Sequence, residues 1–494
     1  MDRMTTTTIT SVDVISEVRA ARAAQRGWAD STLARRLVAV TAFRRLLVSA
    51  CDRLCQVIAE DVGKSAREVV GSEILPTADA CLFVEKQAPS LLRSRRVSTR
   101  TRPWWMFGQG DTIHRRPRGV VGIIGTWNYP LFLNAVQIVQ ALVAGNAVVW
   151  KPSEITPRFA EVLRDLLHEA GFPPEVFRVL PATRNMGPAL ADSPIDHVVF
   201  TGSAAVGRKL AARLGERLVS STLELSGCDV QLLLDDADVK LAARAAWFGV
   251  TLNRGQTCIA VRRAIVPRSL YGAYCDLLRP LSAQARPYAL AMPSQTWQAQ
   301  RLVDEAISAG GRLLTDGPVR VEADACRPAI VVDARPEMGV CQEACFAPIM
   351  AVMPYDTLEE ALAMEAQCPY ALGASVFTAQ PSRAEAIAPR LRAGMVSVND
   401  VVVPTAHPAT PFGGRGDSGW GTTQGAEGLL EMTVAQVVSV RGGSFRPHYD
   451  MGDPAKLAAS DDMLRGLLEA THSPTFLTRM RGWWRTFRAA RRAI

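Results

Sequence analysis

The feature that most constrains this chain is an alternation of short apolar segments with amphipathic ones between Gly119 and Leu225. The segments "GVVGIIGT", "NAVVWKP", "VFRVLP", "DHVVFTG" and "VSSTLEL" have the length and residue types of buried strands. Between them, "PRFAEVLRDLLHEAG" and "SAAVGRKLAARL" repeat apolar residues at helical spacing. Strands that alternate with helices predict a parallel, doubly wound α/β sheet.

A second alternation begins after Gly227, with a helix over Val239 to Val250 and the strands "VRRAIVP", "GASVF" and "GMVSVND". Residues 12 to 95 are predicted to be mostly helical. The segment "AQVVSVR" is predicted to be a late strand, and its position does not assign it to either α/β region. A chain of 494 residues is too long for one ordinary core, so two or more domains are expected.

The segment from Gly119 to Trp150 holds no charged side chain, and its length could span a bilayer. However, several glycines and asparagines and the "WNYP" cluster interrupt any long apolar helix. We therefore favour a buried strand, a loop, a buried helix and a second buried strand.

The net charge of +8 is a local property of the C-terminus. Residues 475–494 hold six arginines and no acidic residue, so removing them lowers the net charge from +8 to +2, and we expect no nucleic-acid partner. Ten scattered cysteines indicate a reducing compartment, and without histidines near the closely spaced cysteine pairs we predict no metal site. The N-terminus lacks an apolar secretory segment, so a cytoplasmic protein is expected.

Two residues are candidates for covalent catalysis. Cys258 in "NRGQTCIAVRR" follows a turn through Gly255, and the amide of Asn128 in "TWNYP" could stabilise an oxyanion formed by thiol attack. Glu224 in "LELSG" lies among apolar residues, where desolvation raises a carboxyl pKa towards the range of a general base. Taken alone, Cys258 also fits core packing and Glu224 a buried structural pair.

Two further segments fit a dinucleotide. In "FTGSAAVG" a strand runs into Gly202 and Ser203 and a helix begins at once, which suits a pyrophosphate, although an ordinary capped helix has the same pattern and GxGxxG is absent. In "KPSE", Lys151 and Glu154 follow a buried strand and could hold ribose hydroxyls and phosphate, or form a solvated strand end.

Together these segments resemble the aldehyde dehydrogenase superfamily. "PRGVVGIIGTWNYPL", "GNAVVWKPSE", "FTGSAAVG", "LELSG", "GQTCIA", "ALGASVF", "VSVND" and "PFGGRGDSG" follow the family's order over roughly residues 15 to 440. The "IIGTWNYP" motif and the region after residue 440 are most similar to those of the class 3 and fatty aldehyde dehydrogenase branch.

The resemblance implies NAD(P)+-dependent oxidation of an aldehyde, with an apolar substrate expected, through a thiohemiacetal and a thioester on Cys258. It assigns oxyanion binding to Asn128 and the Cys258 N–H, and activation of water to Glu224. It places NAD or NADP against the following residues: Trp127, Lys151, Glu154, Gly202, Ser203, Gly207, Leu225 and Phe346.

The fold implied is α/β, with two doubly wound α/β domains and a small β-arm used in forming a homodimer or homotetramer. The boundaries are as follows: 12–98 and 118–225 for the NAD(P)-binding domain, 226–430 for the catalytic domain, 99–117 and 431–445 for the arm, and 446–494 for a C-terminal extension.

Three departures from the family pattern affect these expectations. The family's "EEIFGP" is "EACFAP" here, so Ala344 replaces the acid that holds the nicotinamide ribose and Ala347 replaces a glycine. "ELGGK" is "ELSGC", and the stretch from Cys258 to Glu343 is shorter than in most relatives. A lost hydrogen bond to a charged group costs about 1.5–3 kcal/mol, so we predict an active enzyme with slow turnover or unusual selectivity.

Three questions stay open at this point. The tail "TFLTRMRGWWRTFRAARRAI" is a basic amphipathic helix that fits peripheral contact with an anionic membrane or docking on the protein's own body. A catalytically weakened scaffold is an alternative function, motivated by Ala344, Ala347 and Cys228. An acyl-CoA-linked reductase is a further alternative, but such enzymes generally lack the deacylating acid that Glu224 represents.

Overall fold

The computed structural model describes residues 13–444, 446, 449, 452 and 457–493. It divides into two compact units: unit 1 comprises Met1–Ser94 and His114–Gln436, and unit 2 comprises Arg95–Ile113 and Val437–Ile494. Residues 1–12, which bear on the expected lack of a secretory segment, and the last tail residue, Ile494, lie outside the described residues.

Within the described residues, the helices have these bounds: α1 (Val14–Asp30), α2 (Leu33–Ser49), α3 (Cys51–Val62), α4 (Ala66–Val69), α5 (Leu75–Leu91), α6 (Phe132–Val143), α7 (Pro157–Glu169), α8 (Met186–Asp192), α9 (Ala204–Gly215), α10 (Val239–Thr251), α11 (Arg268–Ala283), α12 (Pro293–Ser308), α13 (Gly339–Gln342), α14 (Leu358–Ala366), α15 (Pro381–Ile387), α16 (Gly425–Glu431), α17 (Leu457–His472) and α18 (Phe476–Ala493). A π-helical turn, Val70–Ile74, joins α4 to α5.

The strands have these bounds: β1 (Arg95–Arg96), β2 (Gln109–Pro117), β3 (Val120–Ile124), β4 (Ala147–Lys151), β5 (Phe177–Val179), β6 (His197–Gly202), β7 (Ser220–Leu225), β8 (Asp229–Leu233), β9 (Val261–Pro267), β10 (Tyr288–Ala289), β11 (Arg312–Leu313), β12 (Ala325–Cys326), β13 (Ala329–Val332), β14 (Ile349–Tyr355), β15 (Tyr370–Ala371), β16 (Gly373–Phe377), β17 (Met395–Val398), β18 (Arg415–Gly416), β19 (Gly419–Trp420) and β20 (Thr433–Arg441).

Two large sheets confirm the predicted α/β class. The first has the order β19-β7-β6-β3-β4-β5, and the second has the order β11-β13-β14-β9-β8-β16-β17. The predicted parallel pairing holds within each sheet except at one edge, where β19 pairs antiparallel with β7 in the first sheet and β11 pairs antiparallel with β13 in the second. Each of these added strands is two residues long and covers hydrogen-bonding groups that would otherwise be exposed at the sheet edge.

The charge-free segment forms β3, α6 and β4, as predicted. Both strands are buried along their whole length, and every α6 residue except Leu133 is buried, which explains why the segment lacks charges. Within the described ranges, no helix has the length and apolar character needed to cross a membrane.

The late strand β20 belongs to neither large sheet. It forms a three-stranded sheet of order β1-β2-β20. The β1–β2 pairing is antiparallel, with Arg95 opposite Ile113 and Arg96 opposite Thr112.

Candidate active site

Cys258 follows a tight turn between α10 and β9. The three consecutive residues from Asn253 to Gly255 have left-handed backbone conformations, with φ of 48°, 59° and 76°. A Cβ atom on Gly255 would lie 2.4 Å from the carbonyl carbon of Ala347, so this position requires glycine. The buried Arg262 guanidinium donates to the carbonyl oxygens of both Gly255 and Ala347, which fixes the turn that presents Cys258.

The loop that carries Asn128 is bonded to the residues just before the thiol. The Asn128 Nδ2 donates to the Gln256 carbonyl at 3.1 Å, and the Tyr129 hydroxyl hydrogen-bonds the Thr257 hydroxyl at 2.7 Å. An amide nitrogen carries two hydrogens, so Asn128 has a second one to offer an oxyanion. The structure thus brings the predicted oxyanion donor and Cys258 into one site.

Glu224 is a buried carboxyl group in β7, 4% exposed. Burial raises its pKa to about 7, against the opposing effect of a hydrogen bond from the Thr423 hydroxyl. Gly419 of the short strand β19 pairs antiparallel with Glu224. Thr423 follows β19 in the chain, so this pairing holds it close to Glu224. Sequence reasoning missed Thr423 because its contact with Glu224 spans 199 residues.

The "LELSG" segment also packs against Cys258. A Cβ atom on Gly227 would lie 2.6 Å from the Cys258 carbonyl oxygen. Burial, followed by the charges of Glu224 and Asp229, raises the pKa of the Cys258 thiol to about 12. The thiol is therefore protonated at neutral pH, and nucleophilic attack requires a base close to it.

A buried ion pair that the sequence analysis missed supports the Asn128 loop. The Lys64 Nζ lies 2.6 Å from Glu73 Oε1 and 3.8 Å from the centre of the Tyr129 ring. The second Glu73 oxygen accepts from the backbone N–H groups of Leu131 and Phe132 at 3.0 and 2.9 Å. Burial lowers the pKa of Lys64 and raises that of Glu73. The available signal was a carboxylate within the apolar run "VVGSEILP".

Cys258 lies in the wall of a cavity of about 350 Å³. Its lining is mostly apolar: Pro76, Tyr129, Phe132, Leu133, Phe248, Leu252, Ile259, Val402, Val403, Ala406 and Phe412. Val402 has φ 60° and ψ −60°, a strained conformation for a β-branched residue, which the packed surroundings must hold in place. The volume and lining suit a small apolar molecule with its reacting group beside the thiol.

The predicted pyrophosphate site lies where β6 ends and α9 begins. Ser203 caps α9 by accepting a backbone N–H of the first turn at 3.4 Å. The first N–H groups of a helix have no partner within the helix and carry partial positive charge, which suits a phosphate. A Cβ atom on Gly207 would lie 2.5 Å from the Leu225 side chain, and one on Gly202 would lie 2.3 Å from the Phe200 ring. Both glycines therefore allow close packing beneath the site.

The predicted ribose contacts are adjacent to each other. The Glu154 carboxylate lies 3.1 Å from Lys151 Nζ and 2.8 Å from Arg184 Nε. Burial opposes ionisation of Glu154, but backbone and side-chain hydrogen bonds outweigh it and lower its pKa, so an ionised acceptor is available for ribose hydroxyls. The centres of the Trp127 and Phe346 rings lie 6.0 Å apart. These residues fit a nicotinamide dinucleotide.

The "EACFAP" segment has an alanine at residue 344, where the family resemblance predicts an acid for the cofactor. Ala344 is half-buried, and its carbonyl accepts a hydrogen bond from Gln298 Nε2 at 3.1 Å. The neighbouring Glu343 carboxylate is bonded to Arg301 at 2.6 Å, so this acid has a different partner. The predicted loss at residue 344 is therefore not offset by Glu343.

Comparison with known proteins decides the family. The model of the aldehyde dehydrogenase family matches residues 3–438. The chain belongs to this family. The predicted fold, the predicted aldehyde dehydrogenase activity and its NAD or NADP dependence are thereby confirmed.

Individual relatives share about a third of their residues with this aldehyde dehydrogenase. A 4,4'-diapolycopene aldehyde oxidase of Methylomonas sp is 32% identical over 82% of this chain and 77% of its own. A Mycolicibacterium smegmatis protein, provisionally described as an NADP(+)-dependent succinate-semialdehyde dehydrogenase, is 32% identical over 87% of this chain and 85% of its own. The crystal structure of a Mycobacterium tuberculosis aldehyde dehydrogenase complexed with NAD+ superposes with a TM-score of 0.81 at 29% identity, covering 88% of this chain and 91% of that one.

Proposed function

We propose that this aldehyde dehydrogenase oxidises apolar aldehydes to carboxylic acids through a covalent intermediate on Cys258. The observation that carries the proposal is the mostly apolar cavity with Cys258 in its wall. Burying an aliphatic or aromatic chain in such a cavity contributes about 25 cal/mol per Å² of apolar surface. An aldehyde held in this way would place its carbonyl carbon at the thiol.

Glu224 and Asn128 carry the proton and charge steps in this proposal. The ionised Glu224 carboxylate accepts the thiol proton, and the resulting thiolate adds to the carbonyl carbon to form a thiohemiacetal. The Asn128 amide and the Cys258 backbone N–H donate to the oxyanion. A bound NAD(P)+ would supply the hydride acceptor, and loss of the hydride from the thiohemiacetal carbon would leave a thioester on Cys258. Glu224 releases the thiol proton to solvent and then removes a proton from the water that attacks the thioester carbonyl. The C–S bond breaks, the acid leaves, and this proton returns to the Cys258 sulfur to restore the thiol.

In this proposal Lys151 and Glu154 hold the adenosine ribose, and Gly202, Ser203 and Gly207 hold the pyrophosphate. Trp127, Leu225 and Phe346 line the nicotinamide side. Ala344 supplies no carboxylate to the nicotinamide ribose, so placement of that ring depends on these remaining contacts. The weakened-scaffold alternative rests on this same residue.

A second candidate substrate is an aldehyde with a carboxylate at its far end, as in the name of the M. smegmatis relative. Arg67 lines the cavity and carries the opposite charge, whereas the adjacent Glu68 carboxylate accepts hydrogen bonds from Ser65. We favour apolar aldehydes because apolar side chains make up most of the lining.

The test is turnover of the purified protein on aliphatic, aromatic and carboxylate-bearing aldehydes, with NAD+ and with NADP+, followed at the nicotinamide absorbance. We expect kcat/KM to rise with aliphatic chain length and to be lower for succinate semialdehyde than for an uncharged aldehyde of equal length. A Cys258→Ala variant serves as the control and should be inactive. Turnover that survives this substitution would refute the covalent mechanism. If no aldehyde in the panel supports reduction of NAD+ or NADP+, the catalytic proposal is refuted.

We also propose that residues 12–98 and 118–225 bind the cofactor, that 226–430 form the catalytic domain, and that 99–117 and 431–445 form an arm for a homodimer or homotetramer.

Placement in the branch of class 3 and fatty aldehyde dehydrogenases stays a prediction, since the relatives compared have other names. The same holds for a cytoplasmic location and for membrane contact through residues 475–494.

A further inference from the structure

Unit 2 carries a net charge equal to that of the whole chain. It holds fourteen of the 56 lysines and arginines and six of the 48 acidic residues, so its net charge is +8. Unit 1 has equal numbers of basic and acidic residues and is neutral overall. Such a separation of charge indicates an anionic partner for unit 2.

In unit 2, α17 and α18 pack together through small residues. A Cβ atom on Gly482 would lie 2.4 Å from the backbone nitrogen of Ala470, and one on Gly466 would lie 2.7 Å from that of Thr486. Ala489, one turn after Thr486 in α18, is also buried. The two helix backbones therefore approach too closely for large side chains to lie between them.

The large apolar residues of α18 consequently lie on another side of the helix. Five of them are more than half exposed: Phe476, Leu477, Met480, Trp484 and Phe487. We call these five residues the aromatic face. Beside it, the Trp483 ring lies 4.4 Å from the ring of Trp104, which is also in unit 2. A contiguous apolar surface of this kind marks an interaction site, whereas a single exposed apolar residue does not.

Arginines adjoin the aromatic face. The Arg488 guanidinium lies 5.3 Å from the centre of the Trp484 ring, and that of Arg491 lies 4.6 Å from the centre of the Phe487 ring. Arg485 is bonded instead to acidic residues of α17. A helix with aromatic residues on one face and arginines beside them is typical of helices that lie in the interface of a bilayer.

We propose that the aromatic face of α18 binds the surface of an anionic lipid bilayer. Trp484 and Phe487 enter the boundary between headgroups and acyl chains, and Arg488 and Arg491 contact lipid phosphates. Two other partners fit less well. A second copy of the chain would bring a second unit 2, with its net charge of +8, against this surface. A nucleic acid would leave Leu477 and the other apolar side chains of the aromatic face without an apolar environment. This inference deepens the proposed contact of residues 475–494 and does not depend on the catalytic proposal.

The test is co-sedimentation of the full-length protein with vesicles of phosphatidylcholine alone or mixed with phosphatidylglycerol. We expect binding to the mixed vesicles that weakens as salt rises, because salt screens the arginines. Trp484→Ala combined with Phe487→Ala should lower the partition coefficient by about a hundredfold, since each buried ring contributes on the order of tenfold. Arg488→Gln combined with Arg491→Gln should lower it by about tenfold on mixed vesicles only.

Trp297→Ala is the matched control, because it removes a tryptophan of unit 1 that is 59% exposed and should leave vesicle binding unchanged. Thermal unfolding and oxidation of a water-soluble aldehyde should be unchanged in the aromatic-face variants, which separates this proposal from failure of the catalytic one. The proposal is overturned if the protein binds neutral and anionic vesicles equally, or if it binds RNA in preference to the anionic vesicles. It is also overturned if light scattering shows that the combined Trp484→Ala and Phe487→Ala variant has lost the oligomers of the wild type.

Discussion

The two sides of the active site differ in how firmly they are held. On the thiol side, a left-handed turn, the Arg262 bonds and the Asn128 and Tyr129 contacts fix the residues around Cys258. On the nicotinamide side, residue 344 has no carboxylate, and Glu343 is bonded to Arg301. The residues around Cys258 are held by several hydrogen bonds, whereas residue 344 offers no carboxylate at the proposed cofactor site, so the two sides should respond differently to substitution.

The largest effect is expected for Glu224→Gln on the thiol side. Loss of the general base should lower kcat by about 10²- to 10⁴-fold, because Gln cannot accept a proton from water. Because Glu224 is proposed to deprotonate the thiol as well as the water, rapid-quench kinetics and mass spectrometry should show that the acyl-enzyme both forms and hydrolyses more slowly in the variant. Wild-type kcat should rise as pH increases through about 7, since the ionised carboxylate is the active form, and the variant should lack this dependence. An unchanged pH profile in the variant would remove Glu224 from the mechanism.

The next effect tests the support of the Asn128 loop. Lys64→Met leaves the Glu73 carboxylate buried without its partner and should lower the free energy of unfolding by about 3–5 kcal/mol, measured by urea denaturation. The matched control is Arg268→Met, which removes an exposed ion pair with Asp356 and should leave the free energy of unfolding almost unchanged. Equal losses in the two variants would show that the buried pair contributes no special stability to this side.

The smallest effect is a gain on the nicotinamide side. Ala344→Glu should lower the KM for NAD+ by about tenfold, because a hydrogen bond to a charged acceptor is worth about 1.5–3 kcal/mol. Ala344→Gln has nearly the same size without the charge and should give a smaller change. If Ala344→Glu leaves the KM for NAD+ unchanged or raises it, the nicotinamide ribose is held by other groups and the two sides do not differ as described.

Much of the fold could be predicted because its signals are local. The apolar strands β3, β4 and β6 and the amphipathic helices α7 and α9 are each recognisable from a few neighbouring residues. The antiparallel strand β19 could not be predicted, since two residues carry no periodicity and its partner β7 is almost 200 residues away. The packing of α18 on α17 through glycines was equally inaccessible, because an amphipathic stripe does not reveal which face a neighbour covers.

The sequence alone determined the α/β class, the family resemblance and the identity of the candidate site residues, because motif order and residue type are properties of the chain. Only the tertiary structure decided what surrounds them. It buried Glu224 and raised its pKa to about 7, placed Asn128 beside the Cys258 turn, and revealed the Lys64–Glu73 pair behind that loop. Burial and long-range contacts set these properties, and both depend on residues that are distant in sequence and adjacent only after folding.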